Sequence, residues 1–304
     1  MRVTNKYLSQ NLLSNLNRNL NQLQDTQQKL SSGKSVSKPS DDPVRVNQSL
    51  NLATAIADND QYVRNIDFTT AWMETNDSTM GQHVDGLQRA RELAVRGASG
   101  SLSDTDRKAI AAEVDQIREQ ERQIANTQYS GRFIFGGYKT TVPSTLANPN
   151  GDLYPSDVTQ APNDSGKLEF ELSPGTRLAY NTSGVELFGD TSTDDNVFKV
   201  LDDISSELKN GEGQKVSASL AKLDKWIDIA NEERAIGGGK LSRMELSKNR
   251  LLDANISLQK LRSENEDVDM ALTISNLNMQ QNVYQAALSV GAKVLQPSLM
   301  DFLR

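Results

Sequence analysis

Leucines recur near the start of the chain at spacings of three and four. Leu13, Leu16, Leu20, Leu23 and Leu30 share one stripe once Gln27 is counted in it, which predicts a single-faced helix from about Thr4 to Ser32, ended by Gly33 and Pro39. Ser40-Asp41-Asp42-Pro43 opens a second helix, because Asp42 can cap free amides and Pro43 suits the first helical position. No proline occurs from 44 to 142, so this helix can reach about Ala98. A third starts at Ser103-Asp104-Thr105-Asp106, a capping-box-like sequence with Asp in place of Glu, and runs to about Gln128.

The pattern then changes. Arg132-Phe133-Ile134-Phe135-Gly136-Gly137-Tyr138 is β-rich and broken by glycine, and predicts a short strand and turn. Leu168, Phe170 and Leu172 alternate with Lys167, Glu169 and Glu171, and Ser173-Pro174-Gly175 is a turn before a second strand from Thr176 to Asn181. This is a β-hairpin with one wet face. Helix resumes over about Val197 to Lys209 and from about Gln214 onward. Gly237-Gly238-Gly239 either breaks that helix or admits a close neighbour, and the reading favours an unbroken one.

The last helical stretch has two apolar faces. On a wheel over 268–295, Met270, Ile274, Leu277, Tyr284, Leu288 and Leu295 gather on one side. Val268, Leu272, Met279, Val283, Val290 and Val294 lie roughly 150° away, with Asn and Gln between them. The single stripe of the first helix can cover only one of these faces, so the other calls for self-assembly or a stable partner. Burial in a large monomeric bundle and a heptad zipper with a partner remain open. A helix lying on a membrane surface fits poorly, since the polar positions carry amides and one Lys, not a cationic belt.

Composition narrows the chemistry. The 304 residues include no Cys and one His, which removes disulfides, thiolate nucleophiles and any metal site needing two imidazoles. Neither a bilayer-spanning apolar run nor a signal-peptide core is present, so by address labels alone the chain reads as cytoplasmic. Its net charge of −7 is local. Residues 141–196 hold nine carboxylates against Lys167 and Arg177, while the other 248 residues balance. No strongly basic face is left for nucleic acid. Five of the eight prolines (Pro143, Pro149, Pro155, Pro162, Pro174) fall in the same stretch, which marks an insert.

Candidate motifs fail on spacing. Gly33-Lys34-Ser35 ends like a phosphate loop but has Gln28 where the loop needs glycine, and the glycines before Lys240 have no strand ahead of them. His83 has Asp85 on a different helical face, so it forms no local dyad and reads as a packing residue. Asp41 with Asp42, Asp194 with Asp195 and Glu264 with Glu266 sit at helix ends or in loops, where dipole or water suits a carboxylate. Trp72 and Trp226 read as packing anchors. No enzyme and no cofactor is expected.

Leu30-Ser31-Ser32-Gly33-Lys34 followed by Pro39-Ser40-Asp41-Asp42-Pro43 resembles the amino-terminal signature of bacterial flagellins and their relatives. Within that superfamily the chain is most similar to the hook-associated protein 3 family, on four features. These are the start Met1-Arg2-Val3, the Ser40-Asp41-Asp42-Pro43 turn, the segment from Gly131 through Phe133, Phe135, Gly136, Gly137 and Tyr138 to Thr140, and the ending Gln296-Pro297-Ser298-Leu299-Met300-Asp301-Phe302-Leu303. One departure is Ser144, where the family often has Phe. The resemblance implies a mainly α fold: a long-helix bundle with coiled-coil-like paired terminal helices (1–40 and 266–304), a helical shaft with a short hairpin (41–140 and 196–265) and a small β-rich insert (141–195). It implies a structural adaptor of the flagellar hook-filament junction, exported through the flagellum's own channel. Implied partners are further copies of the chain in a ring, hook-associated protein 1, flagellin and an export chaperone. The amide strip Asn278, Gln281, Asn282 and Gln285 suggests that the last helix faces the channel.

Overall fold

The computed structural model describes residues 2–99, 102–142, 151–161 and 164–295, without the side chains of 2–6, 8, 160 and 293–295. Pro143, Ser144, Pro149, Pro162 and the ending from Gln296 lie outside the described residues. Seven helices are described, α1 (Arg2–Ser32), α2 (Pro43–Ala98), α3 (Asp104–Ala125), α4 (Gly184–Phe188), α5 (Val197–Asn210), α6 (Gly213–Glu266) and α7 (Met270–Leu295). Two antiparallel pairs complete the described fold, β1 (Gln128–Tyr129) with β2 (Arg132–Phe133), and β3 (Glu169–Ser173) with β4 (Thr176–Ala179). The chain is mainly α, with long helices and little sheet, as its patterning predicts.

Local chemistry accounts for the boundaries. Asp42 Oδ1 accepts the amides of Val44 at 3.0 Å and Arg45 at 3.1 Å, with Pro43 in the first helical position. At α3 the Ser103 hydroxyl accepts the Asp106 amide at 3.2 Å and donates to Asp106 Oδ2 at 2.7 Å. The shorter Asp side chain therefore binds the cap's hydroxyl, and only half of a capping box forms. Helix α3 ends at Ala125, earlier than Gln128, because Gln128 and Tyr129 pair with Phe133 and Arg132 instead. Ser130 (φ 51°) and Gly131 (φ 76°) make the mirror-image two-residue turn between them. Helix α6 runs unbroken through Gly237-Gly238-Gly239; Gly237 is buried with Met80 of α2 at ordinary contact distance, 3.9 Å from the site of a Cβ, while open space faces Gly238 and Gly239.

Two compact units are present, Met1–Asp58 with Ala254–Arg304, and Asn59–Asp253. The second holds the core. Leu87, Leu93, Val114, Leu201, Ile204 and Leu223 pack between α2, α3, α5 and α6. An aromatic cluster follows, in which Phe133 and Phe135 meet Tyr154, Phe188 and Phe198, with Trp72 on α2. The dry face of the β3–β4 hairpin, Leu172 with Phe170 and Leu178, covers Ile66, Met73, Met244 and Leu251. Trp72 and Trp226 are buried packing residues.

His83 is fully buried on α2, with Nδ1 2.5 Å from Glu121 Oε2 on α3 and its ring edge-on to Phe188 at 4.8 Å. It packs as expected and has no local dyad, but it has a partner from another helix that spacing along α2 could not show. Burial raises the Glu121 carboxyl above its usual value, and His83 opposes that. Gly86 leaves the room, since a Cβ there would collide with Glu121 Oε1.

Candidate assembly interface

The first unit brings together the two ends of the chain. After α1 the backbone turns at Gly33 (φ 70°) and pairs with the linker between α6 and α7. Ser35 N donates to Glu266 O at 2.7 Å and Val268 N to Gly33 O at 3.0 Å. Glu266 is 9% exposed and lies at the C-terminal end of α6, where the helix dipole disfavours a carboxylate. Three groups hold it there: Lys34 Nζ at 3.1 Å, Arg262 Nε at 3.0 Å and the Ser49 hydroxyl. Burial works to raise this carboxyl, and the bonds from Ser49 and Lys34 with the Arg262 charge outweigh it, so it titrates below its usual value. The general expectation of a solvated or dipole-favoured end carboxylate therefore fails for Glu266. Arg45 donates to Ser35 Oγ at 3.0 Å and to the Asn265 carbonyl, while Asn265 Nδ2 donates to Arg45 O at 2.8 Å.

The Ser40-Asp41-Asp42-Pro43 signature has a physical role in the same unit. Asp41 Oδ2 accepts the amides of Ser37 at 3.1 Å and Lys38 at 3.0 Å, and these bonds hold its carboxyl below the usual range. Asp41 thus folds the turn and Asp42 starts the helix. Ser40 and Pro43 are exposed at the surface.

Helices α1 and α7 pack along each other. On α1 the shielded positions are Leu12, Leu16, Asn19, Leu20, Leu23, Thr26 and Leu30. Leu16, Leu20 and Leu23 are where the stripe places them. Leu13 is 55% exposed, and its seam position belongs to Leu12, whose methyl meets the site of a Cβ on Gly291 at 2.8 Å. Likewise Thr26, not Gln27, continues the seam. On α7 the shielded positions are Thr273, Asn276, Leu277, Gln280, Tyr284, Ala287 and Gly291. Apart from Asn276 their spacing is heptad-like, and it runs between the two predicted faces, taking in Leu277 and Tyr284 from the edge of the first.

The first face is therefore covered only at its edge, and the second stays largely open. Leu277 and Tyr284 are half-buried at the edge of the seam, while Ile274 (45%) and Leu288 (45%) remain exposed beside them. On the other face Leu272, Met279, Val283 and Val290 are between 50% and 61% exposed. The side chains of Val294 and Leu295 lie outside the described residues. Burying an apolar side chain contributes about 1.5–3 kcal/mol, so completing the burial of these six adds on the order of 5 kcal/mol.

The Phe133–Tyr138 segment lies in the second unit. Phe133 and Phe135 are buried, and the Phe135 carbonyl accepts the Gly184 amide at 2.8 Å. Gly137 (φ 59°) lies against the Asp164 backbone, and Gly136 packs on Lys139 in a tight turn. Tyr138 is 66% exposed, but its ring lies flat on Gly166 and its amide donates to Asp164 Oδ2 at 3.2 Å. The segment fastens the insert to α3 and carries no reactive group. Arg45, Ser49 and Leu12 were absent from the sequence-based candidates; a shift of the α1 stripe by one position would have found Leu12. Among the described residues no cluster of His, Cys, Asp and Glu could hold a metal, and no helix is long and apolar enough to cross a membrane.

Known proteins are similar to this chain in sequence along nearly its whole length. Residues 3–140 match the bacterial flagellin N-terminal helical region. Flagellar hook-associated protein 3 of Salmonella typhimurium is 30% identical over 94% of this chain and 95% of its own. Among solved structures, a putative flagellar hook-associated protein from Vibrio parahaemolyticus superposes with a TM-score of 0.65 at 22% identity, covering 75% of this chain and 100% of that one. The flagellar junction protein FlgL from Legionella pneumophila gives a TM-score of 0.55 at 14% identity over 71% of this chain and 100% of that one. At such identities the structural likeness carries the fold alone.

Proposed function

The chain belongs to the flagellar hook-associated protein 3 family, and from that premise we propose that it is a structural adaptor joining the flagellar hook to the flagellin filament. The observation that carries the reading is the pair α1–α7, whose described seam leaves much of both apolar faces of α7 open for other subunits. Further copies of the chain would cover one face in a ring. Hook-associated protein 1 would lie on the hook side and flagellin on the filament side, and an export chaperone would shield the faces before secretion. The residues in these roles are Leu16, Leu20 and Leu23 in the seam and Leu272, Ile274, Met279, Val283, Leu288 and Val290 at the contacts.

The terminal helices serve as the axial core, α2, α3, α5 and α6 as a shaft, and residues 141–195 as an outer insert. Asn278, Gln281, Asn282 and Gln285 are all exposed on α7, which supports that helix as the neutral wall of the channel. The adaptor does its work outside the cell and catalyses nothing, in keeping with a family of structural flagellar proteins.

Deleting the gene tests the reading. Hooks should persist without filaments, with flagellin released into the medium. Normal filaments in the deletion strain would overturn the assignment and favour a minor flagellin.

A further inference from the structure

The α1–α7 seam is poor at fixing its own alignment. Leucines at 16, 20, 23 and 30 face a strip of Thr273, Leu277, Gln280, Tyr284, Ala287 and Gly291, spaced by three and four, so after a slip of one turn, about 5.4 Å, leucines still meet a shielded position at every turn. A size-specific contact along it is Leu12 in the space left by Gly291. Alignment must be imposed from elsewhere, and the joint is the place where α1 ends and α7 begins.

There the strand after α1 is bonded to the α6–α7 linker by Ser35 to Glu266 and Val268 to Gly33. Glu266 is locked by Lys34 from one side of the joint, Arg262 from the other and Ser49 from α2. Arg45 ties Ser35 to Asn265. We propose that Lys34, Arg45, Ser49 and Glu266 form a clasp that sets the register of α1 against α7, and so fixes the axial offset between the residues that the two helices present to a second copy. They are positioning residues: the clasp acts on the contact surface through helix alignment, and this role rests on the terminal helices being the assembling part.

Register can be read with cysteine pairs, because the chain has no cysteine of its own. Leu12→Cys with Gly291→Cys reports the observed alignment, and Leu12→Cys with Ala287→Cys reports a slip of one turn. Both pairs are oxidised in flagella isolated from a complemented deletion strain and in the purified full-length chain. With the clasp intact the first pair cross-links about tenfold more than the second, the discrimination expected from charge-assisted hydrogen bonds. Glu266→Ala, or Lys34→Met as an independent second variant, brings the ratio close to one. Unfolding of the second unit, followed through Trp72 and Trp226, stays as in the parent. An unchanged ratio in both variants overturns the clasp, as does a parent that fails to favour the first pair. Absence of the parent from flagella refutes the adaptor role instead, and the purified chain still decides the register.

Discussion

Replacing His83 by leucine strands Glu121 in a fully buried site without its partner. An isolated buried carboxylate neutralises in preference to staying charged. Since an unfolded glutamate titrates near 4.3, holding its proton at pH 7 costs about 1.36 × 2.7, or 3.7 kcal/mol; at pH 5 the same step costs about 1 kcal/mol. The sign follows from the raised Glu121 pKa: the folded chain keeps a proton that the unfolded chain releases above about pH 4.3, so stability falls as pH rises from there. The cleanest reference is the double variant His83→Leu with Glu121→Leu, which differs from the single one only at Glu121 and replaces the pair by apolar volume. Urea unfolding, followed by Trp72 and Trp226 fluorescence, gives both stabilities. The double variant is the more stable, and the gap between the two widens by about 2.7 kcal/mol from pH 5 to pH 7. A gap that does not change with pH would refute the reasoning.

Gly86→Ala pushes a Cβ into Glu121 Oε1 and destabilises the second unit by about 1–3 kcal/mol in the same assay; in a Glu121→Ala background the penalty shrinks. Asp42→Ala removes the acceptor for two amides at the start of α2 and costs about 1 kcal/mol, while Asp42→Asn costs less, as chemical denaturation of the full chain can show. Because the Glu266 carboxyl is held below its usual value, its contribution is fully present above the unfolded glutamate pKa and disappears as pH falls through the folded one. Hydrogen exchange at the Ser35 and Val268 amides should therefore accelerate in acid beyond its intrinsic pH trend, and Glu266→Gln should flatten that excess.

The helices were legible because their signals are local. Periodicity, the Asp42-Pro43 start and the proline-free stretches each act within a few turns, and they placed α2 over the observed span. The wet and dry faces of the β3–β4 hairpin were equally readable from alternation. What escaped the sequence depends on groups far apart along it. Glu121 pairs with a histidine 38 positions earlier, and Glu266 meets Ser49 from 217 positions away. The seam was misread by one position at Leu13 and Gln27 because a leucine-rich polar helix offers two nearly equal stripes; Gly291, by admitting Leu12, selects between them. For α7 the spacing shows two apolar faces but not that α1 takes the strip between them, which reaches Leu277 and Tyr284 at the edge of one face.

The protein's place in the flagellum can be tested directly. Ser156 is exposed in the insert, so Ser156→Cys gives the cysteine-free chain a single site for a maleimide dye. Imaging live cells that carry this variant together with a differently labelled filament should show one spot per flagellum, at the base of the filament. Label spread along the filament would contradict the junction role.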